Sequence, residues 1–231
     1  MPVAVITGGS RGFGRALALD LGRDGWSLVI DGRDPGPLQE VGGLLADRGA
    51  PVAVVPGDVG DADHRRALVE AAHGLGSLDL LVNNASTLGP TPLPRLGDYP
   101  LAELRHVYEV NVIAPLALVQ EALPALRRAR GTVVALTSDA AVEDYEAWGG
   151  YGSSKAALEQ VHRILAAEEP ELRVYQFDPG DMRTAMHQAA FPGEDISDRP
   201  EPGSVVPAFR DLLRSGAPSG RYRADQWAAQ P

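Results

Sequence analysis

The sequence predicts an α/β fold in which helices cover both faces of a single doubly wound parallel β-sheet. Short runs of β-branched residues recur along the chain, and stretches with a helical spacing of apolar residues separate them. Alternation of this kind is typical of βαβ units that build a parallel sheet. The chain has 231 residues, 44% of them hydrophobic, and no change of composition marks a second domain. We therefore expect residues 1–231 to form one domain.

The predicted strands and helices alternate along most of the chain. The predicted strands are Val3–Thr7, Ser27–Asp31, Val52–Val55, Leu78–Val82, Gly131–Thr137 and Leu172–Phe177. The predicted helices are Gly14–Arg23, Leu38–Arg48, Asp61–His73, Leu101–Arg128 and Tyr151–Glu168, and Pro115 marks a position where the fourth of them can break. Right-handed crossovers bring the carboxyl ends of such strands to one edge of the sheet, where ligands bind. The residues that follow each strand are therefore the first candidates for a site.

The segment Ala185–Pro202 interrupts this alternation. It is rich in proline, glycine and acidic residues. Two interpretations stay open, a lid that moves over a site and an ordinary surface excursion, and we favour the lid.

Composition and charge exclude several classes of function. The chain has no cysteine, which excludes disulfides, thiolate nucleophiles and cysteine-based metal sites, and its five histidines show no ligand-like clustering, so we expect no metal. A net charge of −10 argues against nucleic acid or an anionic membrane as a partner. The chain opens Met-Pro-Val-Ala-Val-Ile-Thr without a basic leader, and no apolar run looks long enough to span a bilayer. We expect a soluble cytoplasmic protein.

Tyr151 and Lys155 stand four residues apart on a predicted helix, so one turn places both side chains on the same face. A phenol keeps its proton up to a pKa of about 10, and a positive charge nearby stabilises the phenolate and lowers that pKa. The pair is therefore a candidate acid/base device. Tyrosine and lysine at this spacing are more often a solvated helix face, so the hypothesis depends on the surrounding motifs.

A glycine-rich segment follows the first predicted strand directly. From Thr7 to Gly14 the chain reads Thr-Gly-Gly-Ser-Arg-Gly-Phe-Gly and then enters a helix, whose N-terminus and backbone N–H groups can hold a pyrophosphate. Because the spacing differs from Gly-x-Gly-x-x-Gly, a glycine-rich turn is the alternative.

Two further polar motifs follow later strands. Asn83-Asn84-Ala85 comes after the fourth strand, where its amides can pin a loop and line a cleft, and Ser138 comes after the fifth, where its hydroxyl can bond a carbonyl oxygen. A turn or a helix cap is the alternative for each.

Taken in order, these motifs resemble the classical short-chain dehydrogenase/reductase family across nearly the whole chain. The matching pattern is Thr-Gly-x-x-x-Gly-x-Gly, Asn-Asn-Ala, an asparagine at position 111, Ser138, Tyr-x-x-x-Lys, and Pro179-Gly180-x-x-x-Thr184. The resemblance implies a Rossmann-type fold and the catalytic residues Asn111, Ser138, Tyr151 and Lys155. In that family the tyrosine exchanges a proton with the substrate oxygen and the serine orients that oxygen. The lysine binds the nicotinamide ribose and lowers the tyrosine pKa, while the asparagine supports a water-linked proton relay.

The resemblance also implies a set of residues around a nicotinamide dinucleotide. They are Gly8, Ser10, Arg11, Gly12, Phe13, Gly14, Arg33, Asp58, Val59, Asn84, Ala85, Tyr151, Lys155, Pro179, Gly180, Met182 and Thr184. Within this set Asp58 corresponds to the adenine contact, and Pro179 with Thr184 to the carboxamide contact. For Asp58, an ordinary acid at the end of a strand is the alternative.

The second predicted strand bears on the choice of cofactor. An acid at its end is usually a ribose 2′-hydroxyl acceptor and would favour NAD, and here the acid is Asp31. In the family members that prefer NAD the acid falls one place later, where this chain has Gly32, and Arg33 follows at once. Arg11 is a second cation able to meet a 2′-phosphate. We therefore expect NADP(H) to be favoured over NAD(H).

The sequence predicts an NADP(H)-dependent carbonyl reductase or secondary alcohol dehydrogenase that acts on a small ketone or alcohol and forms a homodimer or homotetramer. Trp148, Val142, His187 and Phe191 are candidates to line an apolar or aromatic substrate pocket, with ordinary packing as the alternative. Ser86 replaces the glycine that often follows Asn-Asn-Ala in the family. The rival hypothesis is a catalytically silent sensor or scaffold that binds a dinucleotide on the same fold.

Overall fold

A seven-stranded, all-parallel sheet forms the centre of the protein. The structure, a computed structural model, describes residues 1–228, so the last three residues of the predicted domain lie outside the described residues. The strands are β1 (Val3–Ile6), β2 (Ser27–Gly32), β3 (Val52–Pro56), β4 (Leu78–Asn83), β5 (Thr132–Leu136), β6 (Arg173–Asp178) and β7 (Gly220–Arg223). Their order is β3-β2-β1-β4-β5-β6-β7, and every neighbouring pair is parallel. The predicted fold class is confirmed.

Helices cover both faces of the sheet. They are α1 (Gly12–Arg23), α2 (Pro35–Ala46), α3 (Ala62–Leu75), α4 (Leu101–Tyr108), α5 (Ala114–Ala129), α6 (Gly149–Glu168), α7 (Ala185–Ala190), α8 (Pro202–Ser215) and α9 (Ala224–Ala228). One apolar cluster joins α1, α2 and α8 to the sheet, and a second joins α3, α5 and α6 to its other face. The order reverses between β1 and β4, and ligands bind beside such a reversal in doubly wound sheets.

The strands are apolar on both sides because both of their faces are covered. In β1, Ala4 and Ile6 belong to one cluster while Val3 and Val5 belong to the other, and all four are buried. Side chains alternate across a strand, so a continuous apolar run is what a doubly covered parallel strand needs.

The predicted helix Leu101–Arg128 is interrupted just before Pro115, near the break that the sequence predicted. A π-helical turn, Glu109–Ile113, joins α4 to α5 and contains Asn111, and Pro115 lies in the first turn of α5. Because proline has no N–H to donate to a helical hydrogen bond, the irregular π-helical turn lies just before Pro115. The whole stretch Leu101–Ala129 is long and apolar enough to cross a membrane by length and composition alone, contrary to the expectation from sequence. Because 56% of its apolar window is buried in the protein, the stretch resembles a core helix.

The C-terminal elements were not predicted. The segment Ala185–Pro202, which was expected to be a lid or a surface excursion, contains α7, and α8 begins at its last residue, Pro202. Strand β7 reads Gly-Arg-Tyr-Arg and lies at the edge of the sheet, so it lacks the apolar run of the central strands. The missing apolar run explains why β7 was not predicted, because the edge strand β3, which reads Val-Ala-Val-Val-Pro, and the four-residue strand β1 were both predicted.

Candidate active site

The glycine-rich segment forms a tight loop between β1 and α1. Gly8 and Gly12 have φ angles of +67° and +56°, which side chains of L-residues rarely adopt. A side chain at Gly14 would overlap the carbonyl oxygen of Gly8 and the amide of Asn84, so only glycine allows this close approach. The loop is therefore shaped by its glycines, as the sequence predicted.

The start of α1 fits the diphosphate of a dinucleotide. The helix begins at Gly12, its first turn has no acidic residue, and the capping residue Arg11 makes no side-chain bond to the free N–H groups. A Cβ atom placed on Gly12 would meet only Thr184, at 3.6 Å, so the space above this glycine is open. Unsatisfied N–H groups at a helix N-terminus attract phosphate. A side chain at position 12 would fill the space in front of these N–H groups.

Polar side chains pin the glycine loop to the end of β4. The side-chain amide nitrogen of Asn84 donates to the carbonyl oxygens of Thr7 at 2.7 Å and Gly8 at 3.2 Å. The hydroxyl of Thr7 accepts from the backbone N–H groups of Asn84 and Ala85, both at 3.0 Å. Asn84 therefore holds the loop in place, and Ala85 lies beside it.

Asp31 is buried under the loop. Its carboxylate accepts from the N–H of Gly8 at 2.6 Å and pairs with the ring of His64 at 3.0 Å, and the residue is 1% exposed. Burial raises the pKa of Asp31, and the hydrogen bond from His64 opposes this. With both oxygens engaged, Asp31 is not placed to accept from a ribose hydroxyl.

Two arginines and one acid are exposed at this corner. Arg33 follows β2 and is exposed, and the guanidinium of Arg11 is largely exposed with Asp34 at 3.7 Å. Ser10 packs against the backbone of Gly32. This corner presents the cations Arg33 and Arg11, the second of them beside the exposed carboxylate of Asp34, while the carboxylate of Asp31 is turned inward.

Three other expected cofactor residues have identifiable surroundings. Asp58 accepts from the N–H of Gly60 at 2.8 Å within its loop, as an ordinary acid at the end of a strand does. Val59 lines a narrow crevice with Thr7 and Ala85. The ring of Phe13 does not line the site, because it is buried in the core, with Phe177 and Phe209 at centroid distances of 6.1 and 5.5 Å. Only the backbone of Phe13 is available to a ligand.

The segment after β6 closes the other side of the loop. Pro179 and Gly180 follow Asp178 directly, Met182 packs partly against the core, and Thr184 caps α7 by accepting from the N–H of His187 at 3.1 Å. The methyl group of Thr184 lies over Gly12. Residues widely separated in sequence therefore surround one groove at the carboxyl edge of the sheet.

Tyr151 and Lys155 lie on the first turns of α6 and are both buried. The ammonium of Lys155 donates to the carbonyl oxygen of Leu136 at 2.8 Å and lies 5.5 Å from the centre of the Tyr151 ring. Burial lowers the pKa of Lys155 to about 8, and the charge of Glu159 partly opposes this. Both side chains therefore lie on the buried side of α6, and the alternative of a solvated helix face does not apply.

The pKa of Tyr151 is shifted mainly by burial. Burial raises it well above the usual value for a phenol, and the charges of Asp178 and Asp139 add to the increase. The hydroxyls of Ser138 and Ser86 act in the opposite direction. The lowering by Lys155 that the resemblance implies stays a prediction: its ammonium is bonded to Leu136 and lies 5.5 Å from the ring centre, and desolvation is the largest influence on the pKa of the phenol.

Asn111 acts as a brace between two elements. Its amide oxygen accepts from the hydroxyl of Ser86 at 3.0 Å and from the N–H of Thr87 at 2.9 Å. Its amide nitrogen donates to the carbonyl oxygen of Thr87 and to the hydroxyl of Ser154, both at 2.9 Å. The loop after β4 is thereby fastened to α6 next to Tyr151.

Ser138 has a neighbour that sequence reasoning missed. Its hydroxyl donates to the carboxylate of Asp139 at 2.9 Å, and the same carboxylate accepts from the hydroxyl of Tyr145 at 3.0 Å. The carbonyl oxygen of Ser138 accepts from Arg221 at 3.2 Å. The sequence feature that could have revealed this contact is the acid directly after the candidate serine. Tyr145 itself is exposed and lies outside the buried pair.

Aromatic side chains stand over Tyr151. The ring of Trp148 lies 5.8 Å from those of both Tyr151 and Phe191, and His187 lies 4.8 Å from Phe191. Phe191 directly follows α7, and Met186 and Ala190 of α7 pack against the buried cluster that contains Tyr151. The segment predicted as a lid therefore lies beside the tyrosine. Val142 does not join this group and instead lines a separate cavity.

Comparison with known proteins agrees with this geometry. The family model described as short chain dehydrogenase matches residues 2–195. The chain belongs to the short-chain dehydrogenase/reductase family. Members of this family are oxidoreductases, and the glycine loop, Asn84, Ser138, Tyr151 and Lys155 of this short-chain dehydrogenase lie along one edge of its sheet.

Its relatives include proteins with different named activities. Sepiapterin reductase of Mus musculus is 35% identical over 202 residues, which is 81% of this chain and 77% of that protein. The 11-beta-hydroxysteroid dehydrogenase A of Sesamum indicum is 32% identical over 95% of this chain and 67% of its own length. Among solved structures, the alcohol dehydrogenase of the archaeon Thermococcus sibiricus complexed with 5-hydroxy-NADP has a TM-score of 0.86 and 29% identity, covering 96% of this chain and 95% of that one.

Proposed function

We propose that this short-chain dehydrogenase is an NADP(H)-dependent carbonyl reductase or secondary alcohol dehydrogenase. The observation that carries the proposal is a buried Tyr151 with Lys155 one turn later and Ser138 at the end of the neighbouring strand, all beside a glycine loop that fits a diphosphate. A nicotinamide dinucleotide, when bound, supplies or accepts the hydride.

Tyr151 is the proposed acid. Its raised pKa keeps the phenol protonated at neutral pH, so it is ready to donate to an oxygen that gains negative charge during reduction. In the reverse direction the phenol must first lose that proton, which the same raised pKa opposes.

The neighbouring residues position the reaction. The hydroxyl of Ser138 can turn from Asp139 to bond the substrate oxygen, and Lys155 keeps a positive charge at one side of the phenol below a pH of about 8. Asn111 fixes the loop that carries Ser86 against α6, which keeps the walls of the site in register with Tyr151. We assign Asn111 a positioning role.

The choice of NADP(H) over NAD(H) follows from charge. Asp31 is engaged with Gly8 and His64, while Arg33 and Arg11 remain at the corner where the adenosine ribose would lie. Arginine is well suited to a phosphate because its planar group makes two parallel hydrogen bonds. A neighbour in the fold, from Shigella flexneri, is complexed with NADP. It is 27% identical, has a TM-score of 0.88, and its match covers 97% of each chain.

The remaining expectations are part of the same proposal. Residues 1–231 form one domain with a lid around 185–202, the protein works in the cytoplasm as a homodimer or homotetramer, and its substrate is a small ketone or alcohol. In the part of the chain that the structure describes, no group of three histidine or acidic residues could hold a metal ion. The aromatic side chains over Tyr151 favour a substrate with an apolar or aromatic body.

The test is cofactor oxidation by the purified protein with a panel of aromatic, alicyclic, diketone and β-keto thioester carbonyls. We expect turnover with NADPH, weaker turnover with NADH, and loss of turnover in Tyr151→Phe. Tyr145→Phe is the matched control, because it removes the other phenol of this region, which is exposed and has no lysine partner. Turnover that survives in Tyr151→Phe and disappears in Tyr145→Phe would contradict the assignment.

The rival is a silent dinucleotide-binding sensor or scaffold on the same fold. It predicts tight binding of NADPH with no reduction of any carbonyl in the panel, and the same binding in Tyr151→Phe. The buried tyrosine, lysine and serine favour the enzyme, since burying ionisable groups without a use for them costs stability.

A further inference from the structure

Three consecutive residues around the end of β5 each bond a charged side chain. These residues are Leu136, Thr137 and Ser138. Lys155 of α6 donates to the carbonyl oxygen of the first at 2.8 Å, and Glu159, one turn further along α6, accepts from the hydroxyl of the second at 2.6 Å. Arg221 of the edge strand β7 donates to the carbonyl oxygen of the third at 3.2 Å. The backbone that carries the candidate catalytic serine is therefore held from two elements, α6 and β7.

Arg221 also bonds two buried acids. Its guanidinium donates to Glu159 of α6 at 2.9 Å and to Asp178 of β6 at 2.8 Å. The side chains of these acids are only 7% and 2% exposed, and a buried charge without a partner is costly. Asp178 also accepts from the N–H of Gly180 at 3.0 Å, at the start of the segment expected to contact the nicotinamide. One arginine on an edge strand therefore joins α6, the end of β5 and the turn after β6.

One of these acids acts on Lys155. Burial lowers the pKa of Lys155 to about 8, and the negative charge of Glu159 opposes this. His162 lies further along α6, and because burial lowers its pKa to about 4 it carries no charge near pH 8. Arg221 is bonded to Glu159, so its positive charge limits how strongly that acid acts on the lysine.

The other acid acts on Tyr151. Burial raises the pKa of Tyr151, and the charges of Asp178 and Asp139 add to the increase. Asp139 is bonded by two neighbouring hydroxyl groups, whereas Asp178 is bonded by the guanidinium of Arg221. The same arginine therefore matches an acid on each side of the catalytic pair.

We propose that Arg221 is a positioning residue of the active site, an inference that rests on the proposed carbonyl reduction. It fixes the backbone of Ser138 relative to α6, and so aims the serine hydroxyl at the substrate oxygen. It also matches the charges of Glu159 and Asp178, which lie nearest the lysine and the tyrosine that we propose to take part in the reaction. A strand that the sequence did not predict thus supplies a residue on which the catalytic end depends.

The experiment measures kcat and the pH dependence of kcat/KM for carbonyl reduction with NADPH. In the wild type, activity should fall above a pH of about 8 as Lys155 loses its charge. Arg221→Gln leaves Glu159 unmatched beside the lysine, so this fall should move up by about one pH unit, and Glu159→Gln should move it down by a similar amount. In Arg221→Gln, kcat should also drop at least about tenfold, because Ser138 is no longer fixed. A general loss of stability would not move the pH profile in opposite directions.

Two further variants separate charge from geometry. Arg221→Lys keeps the positive charge, but one ammonium cannot bond Glu159, Asp178 and the carbonyl oxygen of Ser138 together. Its kcat should therefore fall while the fall in activity stays near pH 8. Arg223→Gln is the matched control on the same strand, because Arg223 pairs with the exposed carboxylate of Asp225. It should change neither kcat nor the pH profile.

A second readout needs no turnover. The pKa of Lys155 is about 8 in the folded chain and 10.5 in the unfolded chain, so between these pH values only the unfolded chain keeps the proton and stability rises with pH. Denaturation curves with and without Lys155→Met isolate this rise in each protein. It should begin at higher pH in Arg221→Gln and at lower pH in Glu159→Gln. A wild type that reduces no carbonyl would overturn the proposed function, and these curves would then decide the charge role of Arg221.

Three results would overturn the inference. The first is a wild-type kcat and pH profile in Arg221→Gln, the second is a shift in the same direction in Arg221→Gln and Glu159→Gln, and the third is an equal loss of kcat in Arg223→Gln. Circular dichroism checks that each variant folds. If Arg221→Gln does not fold, the fall of kcat in Arg221→Lys and the downward shift in Glu159→Gln carry the test.

Discussion

The two ends of the site are built in different ways. At the cofactor end, around the glycine loop, the polar groups of Thr7, Asp31 and Asn84 are satisfied by backbone partners and by the ring of His64, at 2.6 to 3.3 Å. At the catalytic end, Tyr151 and Lys155 are buried with pKa values moved away from their usual range, and aromatic contacts cover them. Both ends bury ionisable groups, but at the cofactor end Asp31 is bonded on both oxygens and holds the loop, whereas at the catalytic end the desolvated phenol and ammonium are the groups that we propose to take part in the reaction. Binding and chemistry should therefore respond differently to substitution.

The largest effect is expected from Asp31→Ala at the cofactor end. It leaves His64 buried without its partner and the N–H of Gly8 without an acceptor, and breaking a buried pair in this way costs about 3–5 kcal/mol. Chemical denaturation would measure this loss as a fall in the free energy of unfolding. Asp47→Asn, on an exposed helix end, is the control. A loss below about 1 kcal/mol would mean that the pair does not hold the loop.

A pH effect on stability is expected behind the catalytic end. His162 is buried, its Nδ1 bonds the carbonyl oxygen of Leu158 at 2.9 Å, and burial lowers its pKa from 6.5 to about 4. Between those pH values the unfolded chain takes up a proton and the folded chain does not, so stability falls as the pH drops from about 6.5 to about 4. The loss is about 3 kcal/mol at most.

Denaturation curves across that pH range, for the wild type and His162→Gln, measure this effect. The variant should be less stable at pH 7 but lose less stability on acidification. Parallel curves for the two proteins would contradict the assignment of the effect to His162.

Gly14→Ala sharpens the claim that the cofactor end depends on close packing. The new methyl group would overlap the carbonyl oxygen of Gly8, so the loop must shift. Displacements of about 1 Å can cost about 100-fold in kcat/KM, and we expect a loss of that order with a carbonyl substrate and NADPH. Gly43→Ala on α2 is the matched control, because nothing lies near its added methyl group. Similar kinetics in both variants would remove the argument from close approach.

The smallest effect concerns the choice of cofactor. Arg33→Gln removes one exposed cation from the ribose corner, and we expect the Kd for NADPH to rise about tenfold while that for NADH stays the same. Isothermal titration calorimetry with both cofactors measures the two Kd values, and Arg48→Gln in the exposed turn after α2 is the control. Equal losses for NADPH and NADH would place Arg33 away from the 2′-phosphate.

The sequence predicted the part of the fold that repeats and missed the part that does not. Six strands were found because each is rich in apolar residues, and β1 is the extreme case, with Val3 to Ile6 buried on both faces. The edge strand β3 was found from its valines although it is only partly buried. Strand β7 was missed because its Gly-Arg-Tyr-Arg sequence has no such run. Helix α8 was missed because proline and glycine open it, although Val205, Phe209 and Leu212 are buried at a helical spacing that could have revealed it.

The candidate site shows the same limit. Motif spacing identified Tyr151, Lys155, Ser138 and Asn84, because their order along the chain is a property of the sequence. The bond from Ser138 to Asp139 and the inward turn of Asp31 toward His64 depend on which way side chains point, which spacing does not encode. The pKa of Tyr151 likewise depends on burial, and so its direction could not be taken from the neighbouring lysine.

The most direct test of the division between the two ends is the Kd for NADPH of Tyr151→Phe, measured by fluorescence titration beside its turnover. Proton donation by a positioned side chain contributes about 10²–10⁴-fold to a rate, so we expect turnover to fall by at least about 100-fold. The Kd should change far less than turnover, because Tyr151 is one of many residues expected around the cofactor and the glycine loop is held by other groups. A Kd that weakens as much as turnover falls would show that Tyr151 serves to bind the cofactor, and it would contradict the account.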